Sequence, residues 1–98
     1  MNTKYNRGRR AEWLAKQDLQ TEGYTVVRAA GSKGSWDLIA VHLDHPVVRL
    51  IQVKSVKDPK QIKTEIKKFM AALPLPRREH FTQELWVYIR GKWHCLTA

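Results

Sequence analysis

Two short apolar segments joined by a turn most constrain the fold of this chain. Residues 36–42 and 47–54 are rich in strand-forming side chains, and residues 43–46 (Leu-Asp-His-Pro) between them have the composition of a turn. We therefore expect the two segments to pair as a β-hairpin at the centre of a sheet.

The flanking segments predict two helices and three further strands. Between residues 7 and 22, alanine and leucine recur at the spacings of an amphipathic helix, which Gly23 ends. Asp58 as N-cap and Pro59 as first helical residue open a second helix. Its apolar face holds Ile62, Ile66, Phe69, Met70 and Leu73. With strands at 24–28, 85–89 and 92–97, the order is α-β-β-β-α-β-β in one α/β domain over residues 1–98.

The size and charge of the chain narrow its function classes. Its 98 residues suffice for one hydrophobic core, so any site must lie at the edges of that core. A formal charge of +9 favours a polyanionic partner, with nucleic acid as the leading candidate. No segment approaches the roughly 18 apolar residues of a spanning helix, so we expect a soluble cytoplasmic protein without a membrane partner. Cys95 is the single cysteine, and no zinc-site spacing is present.

Polar residues interrupt the two central strands in a pattern that suits metal-dependent chemistry. Asp37 begins one strand, and Gln52 and Lys54 end its neighbour on one side, roughly 7 Å apart. Glu12 falls at the margin of the first helix's sheet-facing stripe. Oxygen atoms of Glu12, Asp37 and Gln52 would suit Mg²⁺, with Mn²⁺ as the alternative, and Lys54 would stand beside the metal-bound water. Hydrolysis of a phosphodiester needs such a cation and a positive side chain.

The same residues carry a resemblance to a known family. Arg7-Gly8 followed by Glu12, the loop Gly31-Ser32-Lys33-Gly34 followed by Asp37, and Gln52-Val53-Lys54 resemble the archaeal Holliday junction resolvases of the PD-(D/E)XK nuclease superfamily. The likeness covers about half of the chain, from the first helix to the third strand.

This resemblance implies a restriction-endonuclease-like domain, with a mixed central β-sheet flanked by helices, and a set of site residues. Glu12, Asp37 and Gln52 correspond to the metal-site positions, with the Val53 backbone carbonyl as a further ligand. Lys54 corresponds to the catalytic lysine, and Ser32 to the serine of the catalytic loop. The resemblance thus implies that Glu12 and Asp37 are both catalytic residues and metal ligands.

The resemblance also implies a homodimer that cuts four-way junction DNA, with no small-molecule cofactor. Arg10 and Arg28 match basic positions implicated in DNA contact. Arg7 and Arg9 form a basic cluster with Arg10 near the presumed site, so we expect them to contact phosphates. The remaining expected DNA-binding residues are Lys33 and Lys57.

Two departures from the family pattern bear on activity. Trp36 stands where the superfamily's name has proline, a variable position to which we give little weight. Gln52 replaces the usual glutamate, which removes a negative charge and should weaken metal binding, although its amide oxygen can still bind a cation.

Several alternatives stay open at this level. Glu12 could pair with Lys16, and Phe69 could lie in the core or at a dimer surface. The lysines in and beside the second helix could contact DNA or could form only a solvated face: Lys57, Lys60, Lys63, Lys67 and Lys68. Trp13 could stack on DNA, meet a partner subunit or cover a local patch. The protein could also be a related restriction-like or repair endonuclease, or a catalytically weakened DNA-binding protein on the same fold.

Overall fold

A five-stranded mixed sheet with two helices forms the structure. The computed structural model describes residues 3–29 and 36–98, with side chains from Arg7 onward. In chain order the elements are α1 (Thr3–Thr21), β1 (Thr25–Arg28), β2 (Leu38–His42), β3 (His45–Ser55), α2 (Lys60–Ala71), β4 (Phe81–Ile89) and β5 (Lys92–Thr97). The strands lie in the order β1-β2-β3-β4-β5. β3 and β4 pair in parallel, and the other neighbours pair antiparallel. The predicted fold class and element order are confirmed.

Several element boundaries differ from the prediction. α1 begins at Thr3 rather than at residue 7, and β3 begins at His45, inside the predicted turn. β4 begins at Phe81, four residues earlier than expected, because its first residues pair with β3 from Val48 onward. Gln83 and Glu84 lie in this part, and their side chains are buried although they are polar. α2 begins at Lys60, with Pro59 at the N-cap position. The Asp58 carboxylate still accepts a hydrogen bond from the Lys60 N–H at 2.9 Å, so it stabilises the first turn from one residue further out.

α1 covers one face of the sheet through small side chains. Ala11, Ala15 and Leu19 are almost fully buried against Ile51 and Val53 of β3 in one hydrophobic cluster. Alanine at two successive turns lets the helix axis approach the central strand closely, which brings the polar residues beside this stripe near the sheet.

α2 covers the opposite face over β4. Phe69 is buried in a second cluster with Val56 and with Leu85 and Val87 of β4. The Trp36 ring meets the Phe69 ring edge to face, with centroids 6.3 Å apart. The structure thus places Phe69 in the core, and its packing fixes which side of α2 faces the sheet. No helix within residues 3–29 or 36–98 is long and apolar enough to cross a membrane.

A buried ion pair joins the two parallel strands. The Arg49 guanidinium of β3 donates two hydrogen bonds to the Glu84 carboxylate of β4, at 2.8 and 2.7 Å. Thr82 and the Trp86 indole N–H also donate to Glu84. Burial alone raises the pKa of Glu84, but these hydrogen bonds outweigh it and hold the pKa below its ordinary value. The carboxylate therefore stays ionised inside the fold.

Replacing Arg49 with alanine should destabilise the protein strongly. The variant leaves the Glu84 side chain, which is only 4% exposed, without its cation, a change that costs about 3–5 kcal/mol in comparable buried pairs. The measurement is the free energy of unfolding in urea. Arg77→Ala, which removes an exposed arginine, is the control. Equal stability of the two variants would contradict the structural role of the pair.

Candidate active site

Asp37 is held in place by both neighbouring strands just before β2 begins. Its backbone N–H donates to the Ile51 carbonyl of β3, and its carbonyl accepts from the Ala29 N–H, both at 2.9 Å. Its side-chain Oδ2 accepts a hydrogen bond from the Val53 N–H at 2.8 Å. The carboxylate therefore extends the β2–β3 pairing by one step. Its other oxygen, Oδ1, makes no hydrogen bond within the described residues and is available to a ligand.

Glu12 lies beside Asp37, on the margin of α1. Burial raises the pKa of the Glu12 carboxyl, and the nearby Asp37 carboxylate raises it further, whereas Arg28 and Arg9 lower it. The ion pair of Glu12 is with Arg28, whose Nε is 3.8 Å from Glu12 Oε1, and not with Lys16. The structure thus brings together the two carboxylates that the sequence analysis proposed as metal ligands.

Asp37 is also affected by the cations around it. Burial raises the pKa of the Asp37 carboxyl above its ordinary value, while the Val53 N–H, Lys54 and Arg28 lower it. The charge of Lys54 thus acts on Asp37. Two half-buried carboxylates and the Lys54 ammonium share one small region at the end of the central hairpin.

Gln52 and Lys54 face α2 rather than α1. They line a cavity of about 180 Å³ together with Trp36, Glu65, Lys68, Phe69, Ala72 and Pro74. Gln52 and Lys54 alternate with Ile51 and Val53, which are buried against α1, so the predicted shared side of Gln52 and Lys54 follows from strand geometry. Val53 lies between Gln52 and Lys54, and its backbone N–H donates to the Asp37 carboxylate. The same short segment of β3 therefore lines the cavity and holds Asp37.

A second cavity, of about 450 Å³, adjoins the first at Lys54. Its lining residues are Arg7, Lys54, Ser55, Val56, Lys57, Gln61, Glu65 and Lys68. Arg7 Nε and Nη1 are buried and have no hydrogen-bond partner in the described structure. Buried guanidinium donors without an acceptor are costly, so this cavity has the chemistry of an anion site.

The other predicted DNA-binding residues divide into three groups. Arg9 and Arg28 line a cavity of about 230 Å³ with Glu12, Trp13 and Lys16, on the α1 side of the carboxylates. Trp13 is 57% exposed there. Arg10 is exposed on α1. Lys33 lies outside the described residues, as does Ser32, which was predicted as the serine of the catalytic loop.

The donor set fits a divalent cation in part. Within residues 7–29 and 36–98, no three His, Cys, Asp or Glu side chains converge on one point. The negative charge of Asp37 raises the pKa of the Glu12 carboxyl. A bound cation would reduce the repulsion between these two carboxylates. Asp37 Oδ1, the Glu12 carboxylate and the Gln52 amide are hard oxygen donors of the kind that Mg²⁺ binds.

Comparison with known proteins identifies the family of this chain. The family model described as archaeal Holliday junction resolvase (Hjc) matches residues 3–91. The chain belongs to the archaeal Holliday junction resolvase family. A solved structure of Hjc from Archaeoglobus fulgidus, a Holliday junction resolvase from an archaeal hyperthermophile, is similar in fold, with a TM-score of 0.54 and 14% identity. The match covers 87% of this chain and 74% of that one. No curated protein sequence matches the chain.

Membership in the Hjc family confirms the predicted family and supports the predicted function. The matched range contains Glu12, Asp37, Gln52 and Lys54, and it continues through α2 and β4. Membership indicates a nuclease that acts on Holliday junctions.

Sequence reasoning missed the part that α2 plays at this site. Glu65 and Lys68 line both cavities beside Lys54. A weak signal was present for Glu65, which lies three positions after Ile62 and four before Phe69 of the apolar stripe. Only the packing of Phe69 showed that the side of α2 with Glu65 and Lys68 lies beside the end of β3.

The raised pKa of Asp37 predicts how stability depends on pH without metal. Above the ordinary value of 3.8, the folded state holds this proton more tightly than the unfolded state does. The free energy of unfolding should therefore fall as pH rises through the raised pKa. Asp37→Asn should flatten that part of the profile, because its amide oxygen still accepts from the Val53 N–H but does not ionise.

The measurement is the difference between urea unfolding free energies of wild type and Asp37→Asn across the acidic range, in chelator. Asp44→Asn, in the exposed β2–β3 turn, is the control. A constant difference between wild type and Asp37→Asn at every pH would contradict the burial of an ionised Asp37.

Proposed function

We propose that this resolvase is a metal-dependent endodeoxyribonuclease that hydrolyses one phosphodiester bond in each of two strands of a four-way DNA junction. The observation that carries the proposal is the pair of half-buried carboxylates, Glu12 and Asp37, with the charge of Lys54 acting on Asp37. We further propose a homodimer, since a junction with approximate two-fold symmetry requires two such sites.

Glu12, Asp37, Gln52 and the Val53 carbonyl are the proposed ligands of Mg²⁺ or Mn²⁺. The two carboxylates supply the negative charge, and the amide and backbone oxygens complete an all-oxygen set with room for water. A cation bound there would acidify water and neutralise the charge that develops on the phosphate during hydrolysis.

The side chains of the protein have separate tasks in this proposal. Lys54 orients the attacking water and stabilises negative charge at the phosphate. The hydrogen bond from Val53 to Asp37 Oδ2 holds the carboxylate in one orientation before the substrate binds, so no reorganisation is needed. Arg28 limits repulsion between Glu12 and Asp37, because it lowers the pKa of both carboxyl groups.

Cations on both sides of the carboxylates suggest a path for the DNA backbone. Arg9, Lys16 and Arg28 line the cavity on the α1 side. Arg7, Lys57 and Lys68 line the cavity that adjoins Lys54. The buried donors of Arg7 lack an acceptor among the described residues, and a backbone phosphate has the oxygens that they need. We therefore propose that phosphates on either side of the scissile bond occupy these two cavities.

Cleavage of an immobile four-way junction beside a matched duplex tests the function. In Mg²⁺, wild type should nick the junction once in each of two strands, and chelator should abolish cutting. Asp37→Asn and Lys54→Ala should each lower the cleavage rate at least about 100-fold, because each removes transition-state stabilisation, while retaining junction binding.

Asp44→Asn and Lys63→Ala, which change the same residue types on exposed surface, are the matched controls. Wild-type rates in both site variants would show that the assigned residues are wrong. Equal cutting of junction and duplex would instead indicate a general nuclease.

Two neighbouring lysines of α2 test the path of the DNA. Lys68 lines both cavities beside Lys54, whereas the adjacent Lys67 lines neither of them. In an Asp37→Asn background that binds without cutting, Lys68→Ala should reduce the dependence of log affinity on log salt by about 0.9, the value of one phosphate contact. Lys67→Ala should change it less, although the net charge changes equally. The measurement is junction binding by fluorescence anisotropy at several salt concentrations; identical slopes for the two variants would exclude a specific contact at Lys68.

A second candidate function is DNA binding without cleavage, which the uncharged Gln52 favours. Phosphate contacts through the same cations would give tight, salt-sensitive binding whether or not hydrolysis follows. Junction binding by wild type with no metal-dependent nicks would support this alternative over the nuclease.

A further inference from the structure

The proposed metal site lacks one negative charge on its α2 side, where Gln52 stands in place of the usual glutamate. Gln52 faces the cavity beside Lys54 with a neutral amide, and its neighbours across that cavity include the cation Lys68. Among the described residues that line this cavity, Glu65 is the only carboxylate. Gln52, one of the proposed ligands of the cation, therefore shares this cavity with Glu65.

The position of Glu65 follows from the packing of α2. Phe69 is buried under the helix, and Glu65 lies four residues earlier, one turn along nearly the same side. Lys68 lies three residues after Glu65 and lines the same two cavities. The Trp36–Phe69 contact keeps this edge of α2 against the end of β3.

The Glu65 carboxylate has no structural role within the described fold. It is half-buried, yet it makes no hydrogen bond or ion pair with any described residue. A half-buried carboxylate that stabilises nothing nearby is a candidate for a ligand contact, because its partial desolvation has no compensating partner.

We propose that Glu65 supplies from α2 the negative charge that β3 lacks at Gln52, and that it acts on the divalent cation through a water molecule. A water-mediated contact agrees with the absence of three converging acidic side chains in the described chain, and Mg²⁺ characteristically keeps several waters. Glu65 is thus a positioning residue of the metal site. This inference rests on the proposed function, since it requires the cation at Glu12 and Asp37.

A reciprocal exchange of glutamate and glutamine tests the inference. Glu65→Gln should weaken the affinity for Mn²⁺ alone, measured without DNA by electron paramagnetic resonance, by about 10- to 100-fold, the usual effect of losing an outer contact of a metal site. The double variant Gln52→Glu with Glu65→Gln keeps the net charge and should regain wild-type affinity. Glu79→Gln, at an exposed glutamate that lines neither cavity, should bind Mn²⁺ as wild type does.

The outcomes separate this inference from the nuclease proposal, provided that urea unfolding shows all variants folded. Wild-type Mn²⁺ affinity in Glu65→Gln, or a double variant as weak as Glu65→Gln, would overturn the role of Glu65 even if wild type cuts junctions. Weakened binding in Glu65→Gln with recovery in the double variant would support it, even if wild type binds junctions and cuts none. In that case the cleavage proposal alone would fail.

Discussion

The central strand β3 is the constraint on which the rest of the structure depends. It pairs antiparallel with β2 and parallel with β4, so its residues have neighbours on both sides. Strand alternation directs Ile51 and Val53 toward α1 and Gln52 and Lys54 toward α2. A shift of one residue in register would bury Lys54 under α1 and expose the core. The register of β3 therefore fixes both the position of the site and the packing of the core.

Two polar interactions hold that register on the two sides of β3. On the β4 side, Arg49 and Glu84 form a buried ion pair that would be left uncompensated if either strand shifted. On the β2 side, Asp37 continues the strand pairing with a side-chain oxygen at the Val53 N–H. The second interaction has a functional consequence, because the same carboxylate faces Glu12. The sheet therefore holds Asp37 rigidly, although Asp37 itself lies outside any regular strand.

The site combines an unfavourable arrangement of acids with a surplus of cations. Burial raises the pKa of both Glu12 and Asp37, so the folded protein holds partly desolvated carboxylates close together. Such repulsion is tolerated because packing elsewhere offsets it, and perturbed pairs of this kind occur often at functional sites. The cations lie in cavities on both sides of these acids, where they are placed to meet a polyanion.

Local patterns in the sequence determined the order of elements and the family, and they singled out Glu12, Asp37 and Lys54 as candidate site residues. These features depend on spacing along the chain: the hairpin on two apolar segments around a turn, and α1 on its alanine stripe. The start of β4 could not be predicted, because Gln83 and Glu84 are polar and only Arg49 and the parallel pairing make their burial favourable.

Only the tertiary structure decided which charged side chains of α2 line the cavities beside Lys54. Charged residues on a helix look alike in sequence, and the packing of Phe69 against Trp36 sets which edge of α2 reaches Lys54. That contact joins residues far apart in the chain, so no local pattern encodes it.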